Sequence, residues 1–132
     1  MAMITQREAP LVLIAEDEEP IAEVVATVVE DAGYATVVAT HGRQALELAR
    51  EQHPALLITD LMMPYLSGAE LIAALRAEAE ARGEVAIPII LMTAASLSLA
   101  RAAGADAVLR KPFDLTQLEA LLERFLGGVA SS

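Results

Sequence analysis

The sequence predicts an α/β fold, a doubly wound sheet of five parallel strands with helices on both faces. Three observations predict it. Short apolar runs of strand length alternate five times with longer helical patterns, the signature of repeated βαβ units. The first, third and fourth runs, Leu11–Ala15, Leu56–Thr59 and Ile89–Met92, are almost unbroken apolar stretches, as strands covered on both faces are. The length of 132 residues is that of one domain able to bury a core without disulfides or metals.

The elements follow in order. Leu11–Ala15 leads to a helix over about Pro20–Ala32, where proline suits a first helical turn and Gly33 suits the cap that ends it. Ala35–Val38 is followed by a helix around Arg43–Glu51, stopped by His53-Pro54. Leu56–Thr59 passes through Met63-Pro64 and Gly68 into a helix over Ala69–Ala81, closed by Gly83. Ile89–Met92 precedes a weak helical segment, Leu97–Ala103, capped by Gly104. Ala107–Arg110 passes Pro112 into a last helix, Leu115–Leu126, where Asp114 with Gln117 three residues on forms a capping-box pattern. Gly127-Gly128 is expected to end that helix. The chain therefore divides into an N-terminal extension (1–10), a folded domain (11–126) and a C-terminal tail (127–132), without internal repeats or linkers.

Composition narrows the function. With two Phe, two Tyr and no Trp, the core must rest on Leu, Ile, Val and Met. The absence of cysteine excludes disulfides and thiolate metal sites. Met1–Pro10 lacks an apolar stretch of signal-peptide type and Val85–Ala95 is too short to span a bilayer, so the expectation is a cytoplasmic protein with no membrane role. Nine Lys plus Arg against nineteen Asp plus Glu give a net charge of −10 with no basic cluster, which disfavours direct nucleic-acid binding. The acidic excess suits a divalent cation or a basic protein partner, although most of these carboxylates read as solvated surface.

In a parallel sheet the C-terminal strand ends lie side by side, at the edge where open α/β folds place their ligands. Glu16-Asp17, Asp60, Thr93 and Lys111-Pro112 each follow one of the strand-like runs. An aspartate such as Asp60 can act there as an oxygen nucleophile toward phosphorus, giving an acyl phosphate. Glu16, Asp17 and Asp60 make a hard, all-oxygen site for Mg²⁺ or Mn²⁺, with the backbone carbonyl of Met62 in reach of the same cation. The Thr93 hydroxyl and the Lys111 ammonium suit the oxygens of a transferred phosphoryl group; in the unmodified chain Lys111 can instead pair with Asp60. Ala94 has a side chain too small to obstruct the site. Taken singly, these are a loop aspartate, a solvated charge run, a helix N-cap and a surface lysine. Their placement at successive strand ends sets them apart. His41 and His53, in predicted loops on the opposite side or near helix ends, read as structural or solvent residues, and Met62 and Met63 as packing and loop residues.

The ordered motifs Leu13-Ile14-Ala15-Glu16-Asp17-Glu18, Asp60-Leu61-Met62-Met63-Pro64 with Gly68, Met92-Thr93-Ala94, Ala103-Gly104-Ala105-Asp106 and Lys111-Pro112-Phe113 resemble those of response-regulator receiver domains over about Leu11–Leu126. The resemblance implies a flavodoxin-like fold with strand order 2-1-3-4-5 and a cytoplasmic phosphoacceptor module of two-component signalling. It implies that Asp60 accepts a phosphoryl group from a histidine kinase or phosphotransfer protein. Glu16, Asp17, Asp60 and the Met62 carbonyl would hold Mg²⁺, and Thr93, the Ala94 backbone and Lys111 would bind the phosphoryl oxygens. It also implies a cis bond before Pro112, as a proline permits. Such a module is a switch with self-directed phosphoryl transfer and autodephosphorylation, not an enzyme acting on other substrates, and it passes its signal to a downstream protein.

The chain departs from the family pattern twice. Val108 stands where many relatives carry an aromatic switch residue that moves in concert with the threonine, here Thr93. Thr93 and Lys111 are 18 positions apart, about one helical turn short of the usual pattern, which predicts a shortened fourth helix. Both departures touch the output face, so a receiver-fold interaction module not regulated by phosphorylation stands as the alternative. A Mg²⁺-dependent phosphohydrolase would want a second acid two residues after its nucleophile, where Met62 stands.

Overall fold

Residues 9–131 are described by the structure, a computed structural model. Five strands, β1 (Leu11–Ala15), β2 (Ala35–Ala39), β3 (Leu56–Asp60), β4 (Ile89–Thr93) and β5 (Ala107–Arg110), alternate with five helices. The helices are α1 (Glu19–Asp31), α2 (Gly42–Gln52), α3 (Gly68–Ala81), α4 (Leu97–Ala102) and α5 (Leu115–Ser131). All strand pairs are parallel, in the order β2-β1-β3-β4-β5. The flavodoxin-like order expected from the motifs is thus the one observed.

Strand periodicity builds the core. Side chains alternate between faces, so Val12, Ile14, Ile58, Ile90 and Met92 pack toward α1 and α5, where Val25, Leu118 and Leu122 are buried with them. Leu13, Leu57, Ile89 and Leu91 face the other way, toward Ala45 of α2, Leu71 and Ile72 of α3 and Ala100 of α4. Every residue of β3 and β4 is buried, which is why these strands read as continuous apolar runs.

Local chemistry sets the helix starts. Pro20 lies in the first turn of α1, where its missing N–H costs no hydrogen bond. Helix α3 opens with a full capping box: the Ser67 hydroxyl accepts from the Glu70 N–H at 3.1 Å, and the Glu70 carboxylate accepts from the Ser67 N–H at 2.9 Å. Ahead of α5, the Gln117 side chain accepts from the Asp114 N–H at 3.0 Å. Helix α4 has only six residues and a single buried one, Ala100, so the shortened fourth helix is present.

One expectation is corrected. Gly127-Gly128 does not end the last helix, which runs to Ser131, so the expected tail at 127–132 is helical as far as it is described. A glycine stops a helix by turning to positive φ, as Gly33, Gly83 and Gly104 do behind α1, α3 and α4. Gly127 keeps a helical backbone, and the Glu123 side chain lies over the space its missing Cβ leaves.

Candidate functional site

The strand register brings the candidate residues together as a staircase at one edge. Ala15 pairs with Thr59, so Glu16 stands level with Asp60; Asp60 pairs with Met92, one residue before Thr93; and Thr93 pairs with Arg110, one residue before Lys111. Glu16 extends the ladder by donating its N–H to the Ala39 carbonyl at 3.0 Å, and its side chain is wholly buried. Lys111 donates its own N–H to the Thr93 carbonyl at 2.8 Å and precedes a cis bond to Pro112, as expected. Gly68 closes the loop after Asp60 by donating to the Leu61 carbonyl at 2.8 Å. Its backbone lies so close to the chain that a Cβ there would stand 2.2 Å from the Asp60 carbonyl oxygen, so only glycine fits.

The Lys111 ammonium bridges two acids, donating to Glu16 Oε1 at 2.9 Å and Asp60 Oδ2 at 3.1 Å. Glu16 Oε2 accepts from the Glu18 N–H at 3.1 Å, and Asp60 Oδ1 from the Met62 N–H at a long 3.4 Å. Asp17 is exposed at the mouth, and one carboxylate oxygen each from Glu16, Asp17 and Asp60 lie within 4.8 Å of one another. Burial pushes the Glu16 carboxyl above its ordinary value, aided by the neighbouring Asp60 charge and only partly offset by its hydrogen bonds to Lys111 and Glu18. Burial acts to lower the Lys111 ammonium, but its hydrogen bonds to Glu16 and Asp60 outweigh that and raise it, so it remains charged.

These residues fit a divalent cation. All three acids offer hard oxygen donors, and three carboxylates against one ammonium leave the cluster net negative. Thr93 is buried at the end of β4, and its Oγ1 accepts from the Ala95 N–H at 2.9 Å; the N-cap of α4 is Ser96. Ala94 is exposed beside Lys111. Val108 is half-buried against the core layer under α2, α3 and α4. Met62 is exposed. Both histidines lie at helix ends, but the expected opposite-side placement holds only for His53, which caps the end of α2; His41 caps its start, on the same sheet edge as the acids, because it directly follows β2. Lys111 is also the only lysine in the chain, a signal in the sequence itself.

Residues 12–123 match the response regulator receiver domain family. The chain belongs to this family. The Brucella ovis polar-differentiation response regulator DivK is 32% identical over 120 residues, covering 88% of this chain and 95% of DivK. Among solved structures, the chemotaxis response regulator CheY4 of Vibrio cholerae superposes with a TM-score of 0.78 at 30% identity, over 89% of this chain and 99% of CheY4. The receiver domain of sensor histidine kinase PA1611 from Pseudomonas aeruginosa, which holds a magnesium ion in its active-site cleft, gives a TM-score of 0.80 at 28% identity, over 90% and 98% of the two chains. The chain is thus a two-component receiver domain with a flavodoxin-like fold, and among its described residues no helix is long and apolar enough to cross a membrane.

Proposed function

We propose that this receiver domain accepts a phosphoryl group on Asp60 from a phosphohistidine of a histidine kinase or phosphotransfer protein, and signals by contact with a downstream protein. The observation that carries the reading is the Lys111 ammonium held between Glu16 and Asp60, at 2.9 and 3.1 Å, in a cluster of three convergent acids. In the transfer, an Asp60 carboxylate oxygen bonds to phosphorus as the phosphorus–nitrogen bond to the donor imidazole breaks. Glu16, Asp17, Asp60 and the Met62 carbonyl would hold Mg²⁺, which neutralises charge on the phosphoryl oxygens when bound, with Mn²⁺ a second fit. Lys111, released from Asp60, turns its charge to the phosphoryl oxygens, and Thr93 Oγ1 and the Ala94 N–H supply further donors. The only group transferred ends on the chain itself or leaves to water, so the domain is a switch and not an enzyme for other substrates.

Incubation with Mg²⁺ and a small phosphodonor such as acetyl phosphate should give a label that hydroxylamine removes and a chelator prevents. Persistence of the label in Asp60→Asn would sink the assignment.

A further inference from the structure

Asp106 stands at the opposite end of β5 from Lys111, in a motif that the phosphoacceptor reading does not use. The site depends on the register of β5, yet packing fixes that strand weakly. It is a sheet edge of four residues in which only Leu109 is buried, and the helix before it, α4, buries only Ala100. A strand with so little apolar burial has a poorly specified register. A slip of two residues would keep every side chain on its face while moving Lys111 by about 6–7 Å, out of reach of Glu16 and Asp60.

Two backbone bonds of the same kind bracket β5 on β4. The Asp106 N–H donates to the Ile89 carbonyl at 2.9 Å where the strand begins, and the Lys111 N–H donates to the Thr93 carbonyl at 2.8 Å where it ends. The first bracket is doubled by a side chain: the Ile89 N–H donates to Asp106 Oδ2 at 2.8 Å. Ile89 is fully buried, so loss of that carboxylate would leave its N–H unpaired inside the protein. The same oxygen accepts from Arg76 Nη2 of α3 at 3.3 Å, and Arg76 is steadied by donating to the Gly104 carbonyl at 2.8 Å. The neighbours of Asp106, namely Gly104, Ala105, Ala107 and Val108, carry no side-chain acceptor. A slipped strand therefore cannot rebuild the bond to Ile89.

We propose that Asp106, oriented by Arg76, is the register lock of β5 and thereby a positioning residue for Lys111. The proposal rests on the reading of Lys111 as a ligand of the phosphoryl group on Asp60. The carboxylate fixes Asp106 against Ile89, four paired residues carry that register along the strand, and Lys111 arrives with its ammonium between Glu16 and Asp60.

Because Lys111 is the only lysine, isotopic labelling of lysine gives one backbone amide signal, which reads the far end of β5 directly. In Asp106→Ala, amide exchange at Ile89 and at Lys111 should both speed up about tenfold more than at Ile14 in β1, the worth of a hydrogen bond to a charged group. Phosphorylation by acetyl phosphate with Mg²⁺ should slow severalfold. Asp106→Asn keeps an oxygen acceptor without the charge, and should fall between Asp106→Ala and the parent in all three rates. Faster exchange at Ile89 with parent-like exchange at Lys111, in either variant, would overturn the lock. So would equal acceleration at Ile14 and Lys111, the mark of a general loss of stability. If Asp106→Ala does not fold, Asp106→Asn decides by the same criteria. A Lys111→Ala chain phosphorylated as fast as the parent overturns the reading of Lys111 instead, and the amide rates still decide the lock.

Discussion

At the scale of residues, the site is one cation shared by two buried acids. Lys111 holds Glu16 and Asp60 together, so it competes with any metal for the same oxygens. Glu16→Gln combined with Asp17→Asn should weaken Mg²⁺ binding on the order of tenfold or more, because ligand charge sets affinity at hard-oxygen sites. Lys111→Ala should leave it equal or slightly tighter. Calorimetry on the two variants checks both, and parent-like affinity in the acid variant would place the metal elsewhere. A second residue-scale effect belongs to Tyr34. Burial, with the Glu123 charge nearby, raises its phenol above the ordinary value, so the folded chain keeps the proton to higher pH than the unfolded one. Its contribution to stability is complete below the unfolded pKa of about 10 and is lost as pH rises through the folded value. Tyr34→Phe should therefore lose less stability than the parent between neutral and strongly alkaline pH, as measured by urea midpoints. Asp60, Glu16, Asp17, Thr93 and Lys111 were legible in the sequence because each follows an apolar run at a strand end. The positive φ of Tyr65 and the edge-on contact of its ring with His41 were not, because both depend on tertiary contacts and leave no local mark.

At the scale of elements, α4 and α5 differ most from the rest. Six residues with one buried alanine make α4 a helix that depends on packing for its order, and Leu97 and Leu99 on it are exposed. On β5, Val108 is short and stiff at its first torsion and cannot sweep the volume of an aromatic ring. Phosphorylation is therefore expected to act by ordering or shifting Ala95–Ala103. Amide exchange with and without beryllofluoride and Mg²⁺ should show protection gained in that segment; strong protection already present and unchanged by the ligand would rule this out. The shortened helix was readable from the spacing of Thr93 and Lys111, whereas the true end of α5 was not. Gly127 tolerates both a helical backbone and a stop, and buried packing selects the former. Gly127→Ala should then stabilise the chain by about 0.5–1 kcal/mol, since only the flexible Glu123 side chain has to move. A lower urea midpoint would contradict a helix through this position. The capping box at Ser67 and Glu70 was written in the sequence as Ser-x-x-Glu, but the nearby Gly68 drew the boundary one residue late.

At the scale of the whole molecule, the fold was legible because one physical rule repeats five times: an apolar strand, a polar turn, an amphipathic helix. Two core layers sandwich the sheet, and β3 and β4 contribute to both. Ile58→Ala should cost about 2–5 kcal/mol, a large part of the roughly 5–15 kcal/mol that holds a domain folded, with little change in the denaturant slope. The same sheet that makes the core sets the four candidate site residues one step apart at its edge, so fold and candidate site share a single register. The central claim, that this register makes Asp60 the phosphoacceptor, is tested most directly by trapping. Treating the phosphodonor-labelled protein with borohydride reduces an acyl phosphate at the residue that carried it, and peptide mass spectrometry then locates the change. The expected result is a single modified residue, Asp60; modification at Glu16 or Asp17, or a phosphoryl group found on His41, His53 or a hydroxyl side chain with Asp60 untouched, would contradict it.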